Sequence, residues 1–226
     1  MKTSLLAESD EKASGELKVK VVGKNLPGSH SMNVEVDPDV CGKTHSLENT
    51  KVSPEGYLQN AVVWLESPSL KTIAPVGADQ ALVIDNCDLS PRVVLLSPQS
   101  LLEISSKDSI LFQIRSKGQK NPKQVRPLPP NLQKVSFRFR EPEIVPISCD
   151  LHPWMKAFIV VMSHPFYRIT NTVGDAKFPK VPYGEYDLYL WHEIFGQKKW
   201  ANKVSIKSKS TGLKIDWDFL ETQMTE

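Results

Sequence analysis

Residues 135–162, VSFRFREPEIVPISCDLHPWMKAFIVVM, decide the fold class. In the opening run Val135, Phe137 and Phe139 alternate with Ser136, Arg138 and Arg140, a period of two that buries one face and wets the other. A second strand-like approach, Glu143–Ser148, delivers Cys149. A short Pro-containing loop follows, and the chain re-enters a strong strand at Ala157–Met162. Extended segments joined by short irregular connections are the signature of an all-β protein.

The same pattern continues in both directions. Candidate strands upstream are Leu17–Val22, Asn33–Val36, Ala61–Leu65, Ala81–Ile84, Arg92–Leu96, Leu101–Ile104 and Ile110–Ile114; downstream they are Asp187–Trp191 and Lys203–Ile206. Leu213, Ile215 and Trp217 outline a last strand in the tail 211–226, before fraying. Val, Ile and aromatic residues fill these runs, with Pro or Gly in the gaps. No window of helical periodicity exceeds about three turns. The expected architecture is all-β, a sandwich or barrel. Ser67–Asp79 and the basic, Pro-rich Ser116–Gln133 read as loops, and residues 171–185 as two turns around a short strand.

Composition bounds the function. The chain has 226 residues, 40% hydrophobic and 24% charged, enough for one large β domain or two small ones. A formal charge of +2 supplies no dedicated phosphate-binding face, so nucleic acid is not an expected partner. No run approaches the roughly 20 apolar residues of a membrane-spanning helix. The start, Met1–Ala7, is too short an apolar run for a complete secretory signal.

Chemistry concentrates in Cys149-Asp150-Leu151-His152-Pro153-Trp154-Met155. One tight turn between two strands presents a thiolate, an imidazole and a thioether, a soft donor set that selects copper, Cu(I) above all, over hard cations.

Cys149-x-x-His152-Pro153-x-Met155 followed by an apolar strand resembles the copper-ligand loop of amicyanin and, more loosely, plastocyanin. The wider context, His164-Pro165-Phe166, Gly184-x-Tyr186 and Trp191-His192-Glu193, is similar to bacterial plastocyanin-like proteins. These are often labelled methylamine-utilisation proteins, with a carboxypeptidase-regulatory-like (transthyretin-like) segment. Val40-Cys41-Gly42, the run 61–65 and Cys87-x-x-x-Pro91 fit the same pattern, so the likeness spans roughly residues 17 to 206. It implies a cupredoxin-like Greek-key β-sandwich with additional β segments: a flexible tail over 1–16, an N-terminal β segment over 17–66, a cupredoxin-like core over 80–163, and a transthyretin-like segment over 164–226 packed on that core.

In the family a second imidazole comes from an earlier strand, after a short Asn-x-Asp turn. The matching segment, Ser106–Phe112, puts Phe112 at that position, and no histidine occurs between His45 and His152. The ligand set is therefore one short. His45, His164, His192, Glu193 or water would have to fill the gap, with His164 and His192 as candidate extra ligands; a site so altered is expected to be weaker and not blue.

The resemblance implies Cys149 as thiolate ligand, His152 as equatorial nitrogen and Met155 as weak axial ligand, with Pro153 stiffening the loop and Trp154 shielding it from water. The alternative for the same residues is a metal-free site, with Cys149 an inert buried thiol and Met155 a core filler. Cys41 and Cys87 most simply form a structural disulfide, the alternative being two buried free thiols. His30 and His45 sit in polar loops and read as solvated. No Gly-rich phosphate loop, Gly-x-Ser-x-Gly elbow or His-Glu-x-x-His occurs, so no enzymatic activity is expected. The expectation is a periplasmic or secreted copper-binding protein, its signal peptide absent from this sequence, working in electron transfer or copper handling with a redox or copper-delivery protein partner. A metal-free β-sandwich interaction module is the alternative.

Overall fold

The computed structural model describes residues 13–28, 30–47, 52, 53, 55–70, 73 and 78–218. The expectations for residues 1–12 and 219–226, and for much of the 67–79 loop, lie outside them. In chain order the strands are β1 (Ser14–Lys24), β2 (His30–Asn33), β3 (Thr44–Leu47), β4 (Val62–Glu66), β5 (Gln80–Asp85), β6 (Asp88–Ser90), β7 (Val93–Leu96), β8 (Leu101–Ser106), β9 (Phe112–Ser116) and β10 (Gln124–Leu128). They continue with β11 (Lys134–Arg138), β12 (Glu143–Cys149), β13 (Lys156–Val161), β14 (Tyr167–Ile169), β15 (Asp175–Pro182), β16 (Gly184–His192), β17 (Gly196–Lys199), β18 (Val204–Ile206) and β19 (Ser210–Asp218). One α-helical turn, α1 (Pro38–Cys41), interrupts them. The fold is all-β.

The strands build two sandwiches. In the first, a five-stranded sheet β10-β9-β12-β13-β7 faces a four-stranded sheet β11-β8-β5-β6. The chain passes between these sheets repeatedly, and one core joins them: Leu82, Ile84, Leu102, Ile104 and Phe137 from one side, Phe112, Ile114, Ile147, Ala157 and Ile159 from the other. In the second sandwich β15-β1-β19 faces β14-β4-β16-β17, with β18 also on β16. Strands from both ends of the chain interleave there, β1 running parallel to β19. Residues 30–47 belong elsewhere: Val34 and Cys41 pack into the first core.

Two continuous apolar runs explain how the sandwiches stack. A strand wet on one face alternates; a strand buried on both does not. In β4, Val63 and Leu65 face the second core while Val62 and Trp64 face outward. In β13, Ala157, Ile159 and Val161 face the first core and Val160 faces outward. These outward sides meet in a third apolar layer of Val62, Trp64, Val93, Val160 and Tyr167. At roughly 1.5–3 kcal/mol per large side chain taken from water, this layer is a substantial joint.

The structure revises two local expectations. Ser116–Gln133 contains the edge strand β10, paired antiparallel with β9. Its Pro127 and exposed Arg126 suit an edge, where a missing N–H and a charge discourage further pairing, and that composition imitates a loop. The strand expected at Asn33–Val36 lies earlier, as β2 paired with β3.

Candidate metal centre

Antiparallel pairing carries Cys149 into place: Ile147, Ser148 and Cys149 sit opposite Ser116, Arg115 and Ile114 of β9. Beyond Cys149 the chain turns, with Asp150 N–H donating to the Gln113 carbonyl at 2.9 Å. Asp150 is held outside the turn. The Arg115 guanidinium grips it through two bonds of 2.7 and 2.6 Å, which keeps its carboxyl below the usual carboxylate range. A β-turn then closes at 152–155, where Met155 N–H donates to the His152 carbonyl at 3.0 Å. Pro153 occupies the second turn position, where its fixed φ is favoured.

This loop buries the side chains of Cys149, His152, Trp154 and Met155. His152 and Met155 have no exposed surface, and Cys149 and Trp154 have 3% and 4%. Cys149 Sγ lies 3.5 Å from His152 Nδ1. The other ring nitrogen, Nε2, is 3.2 Å from Asp37 Oδ2. Phe112, two residues before Ile114 and on the same face of β9, sets its ring 5.1 Å from the His152 ring. Carbon thus stands where the second imidazole was sought. Trp154 meets the His152 ring edge-on at 5.2 Å, and His45 stacks against the indole at 5.4 Å. His45 is therefore packed rather than solvated, while His30 is exposed.

Cys41 and Cys87 form a disulfide, and Cys149 is a free buried cysteine. The bridge ties α1 to the β5–β6 turn, whose Cys87 carbonyl accepts the Trp154 indole N–H at 2.9 Å. The covalent clamp and the 149–155 loop are thus neighbours.

The two remaining histidines serve elsewhere. His164 follows β13, accepts the Phe166 N–H at 3.2 Å and packs near Tyr167. Burial lowers its pKa, with Glu66 opposing. His192 ends β16, accepts the Ile194 N–H at 3.2 Å and packs on Phe195. Burial pushes it down to about 4, against a backbone hydrogen bond to Gln59. Glu193 is occupied by Arg92. Among the described residues no cluster of three or more His, Cys, Asp or Glu is arranged to hold a metal ion.

The donor set nevertheless fits a soft ion at two points. Sulfur and nitrogen ligands bonded at roughly 2.0–2.3 Å to one ion stand about 3–4 Å apart, and Cys149 Sγ and His152 Nδ1 meet that spacing. Met155 is buried in the core of the first sandwich. Cys149 and His152 are the pair of donors spaced to share a soft ion.

Asp37 was not legible as a site residue. Its one signal is Asp37-Pro38-Asp39-Val40-Cys41, an acid four residues before a bridging cysteine; nothing in the sequence says that this bridge lies against the 149–155 loop.

No protein-family model matches the chain, and no curated protein matches it by sequence. Solved structures that it resembles are cupredoxins and a related enzyme. A purple cupredoxin from Nitrosopumilus maritimus is 18% identical over 37% of this chain and 100% of its own, with a TM-score of 0.32. Amicyanin from Paracoccus versutus is 14% identical over 44% and 97%, at 0.34. A copper-containing nitrite reductase from Thermus scotoductus SA-01 is 18% identical over 43% of this chain and 27% of its own, also at 0.34. Among the described residues no helix is long and apolar enough to cross a membrane, which says nothing of β-barrels.

Proposed function

We propose that this chain is an extracytoplasmic copper-binding protein that holds Cu(I) through Cys149 and His152, with Met155 as a weak third donor, and that it handles copper rather than transferring electrons through a blue site. The observation that carries the reading is the 3.5 Å approach of Cys149 Sγ to His152 Nδ1 inside a buried loop. A thiolate, an imidazole and a thioether favour the soft monovalent ion. Phe112 in place of a second imidazole removes the trigonal nitrogen pair of a blue centre, and low coordination suits Cu(I). The chain's own residues give a rigid turn at Pro153, exclude water through Trp154 and Phe112, and hold Nδ1 toward the sulfur. A disulfide supports a location outside the reducing cytosol. The role requires a copper-delivery protein partner and no catalytic residue.

A second reading is favoured by Phe112 itself: its ring packs on His152 as a core residue would, which suits a metal-free β-sandwich interaction module.

Anaerobic Cu(I) titration against a chromophoric competitor separates the two. The expected result is one equivalent bound by the wild type and lost in Cys149→Ala, with no intense thiolate-to-copper band when Cu(II) is offered. Phe112→His should bring that band up. No binding by the wild type would end the copper reading and leave the interaction module.

A further inference from the structure

A buried imidazole hydrogen-bonded by side chains is set by those partners, and one hydrogen-bonding partner of His152 comes from far along the chain. Asp37 lies between β2 and α1, 115 residues away in sequence. We infer that Asp37 is the positioning residue of this site: it fixes the His152 ring with Nε2–H donated to its carboxylate, so that bare Nδ1 faces Cys149. The inference deepens the copper reading and rests on it for the ligand, while its geometry is read from hydrogen-bond distances within this chain: Nε2 to Asp37 at 3.2 Å and Nδ1 to Cys149 at 3.5 Å.

The direction of the bonds follows from the donor inventory. A carboxylate only accepts, so Nε2 must carry the proton. In the neutral ring Nδ1 is then a lone pair, and it points at Sγ 3.5 Å away. Ligating histidines gain orientation and basicity when their second nitrogen donates to a carboxylate.

The backbone is arranged to deliver this carboxylate. Asp37 adopts the left-handed conformation, φ 55° and ψ 42°, which Asp tolerates better than most non-glycine residues. It precedes the first turn of α1, yet its side chain makes no capping bond to that turn and is left for His152. Its carbonyl instead accepts the N–H groups of Val40 and Cys41 at 3.0 and 2.9 Å. Cys41 is bridged to Cys87, whose carbonyl holds Trp154. Orienting acid and ligand loop are thereby fastened to one disulfide.

The test reads the ring directly, without copper. Nitrogen-15 shifts of the histidine rings in the intact metal-free protein, with the His152 signal identified by its loss in His152→Gln, should show Nε2 protonated and Nδ1 bare. Asp37→Gly keeps the left-handed backbone and removes the carboxylate; it should mix the two tautomers and weaken Cu(I) binding by roughly 10- to 100-fold. Asp37→Asn offers an amide oxygen as acceptor and should restore the wild-type tautomer. An unchanged His152 spectrum in a folded, disulfide-intact Asp37→Gly protein would overturn the assignment. If that spectrum changes while the wild type binds no Cu(I), Asp37 still positions the ring, and only the copper reading fails.

Discussion

The two sandwiches each bury a histidine, His192 at the end of β16 and His152 in the turn after β12, and the two rings are held in opposite ways. His192 meets backbone: the Ile194 N–H and a hydrogen bond to Gln59. His152 meets side chains: Cys149 and Asp37. Backbone partners satisfy a ring and make it part of the architecture. Side-chain partners leave one nitrogen against a sulfur, and one of them, Asp37, comes from the 30–47 segment, which the Cys41–Cys87 bridge and the His45–Trp154 stack hold near the loop. Burial alone, 0% and 1%, does not tell the two apart; the identity of the partners does.

That contrast is broken most severely at the disulfide. Cys41 and Cys87 are 46 residues apart, and closing such a loop contributes about 4 kcal/mol in the chain-entropy model. Cys41→Ser/Cys87→Ser should lower the urea-unfolding free energy by about that much. It should also change the His152 ring shifts, because Asp37 loses its anchor, and leave those of His192 alone. Equal perturbation of both rings would show that the first sandwich has no locally clamped site.

The second ring gives a pH dependence of known sign. His192 titrates at 6.5 when unfolded and is pushed down to about 4 when folded. The unfolded chain therefore binds the proton more readily. The stability His192 confers is present above pH 6.5 and is lost as pH falls toward 4, to a total of about 3 kcal/mol. His164, lowered by burial as well, acts in the same direction. His192→Gln should flatten the curve of unfolding free energy against pH across this window, whatever the variant's stability at neutral pH. Parallel curves for wild type and variant would mean that this ring is not held neutral by burial.

How much of this was legible depends on whether the information is local. The strands were, because period two at Val135–Arg140 and the unbroken apolar runs at β4 and β13 are written in consecutive residues. Phe112 opposite the ligand loop could be expected from the segment preceding it, and it stands there. β10 was hidden because an edge strand carrying Pro127 and Arg126 has the composition of a loop. Asp37 was hidden for a different reason: its role depends on a hairpin folding across a turn more than a hundred residues away, and neither segment names the other. His45 reads as solvated in the sequence for the same reason, since its partner Trp154 is equally remote.

The joint between the sandwiches offers the mildest test of whether they are separate bodies. Arg92, just before β7, donates through Nε to Glu193 Oε1 at 2.9 Å and through Nη2 to Oε2 at 2.5 Å, while Nη1 reaches the Lys156 carbonyl at 2.9 Å. Glu193 directly follows β16, so the fork spans the first and second sandwiches beside the shared layer. Its side chains are 21% and 8% exposed, so water screens it only in part. Glu193→Gln keeps the shape and removes the charge, leaving Arg92 half paired at a cost of about 2 kcal/mol, below that of breaking a fully buried pair. With Val62, Trp64, Val93, Val160 and Tyr167 still joining the two halves, unfolding followed by tryptophan fluorescence and by far-ultraviolet dichroism should remain one coincident transition at lower urea. Two separated transitions in the wild type would mean that the apolar layer does not couple the sandwiches. The clamped loop and the architectural histidine would then belong to domains that fold independently.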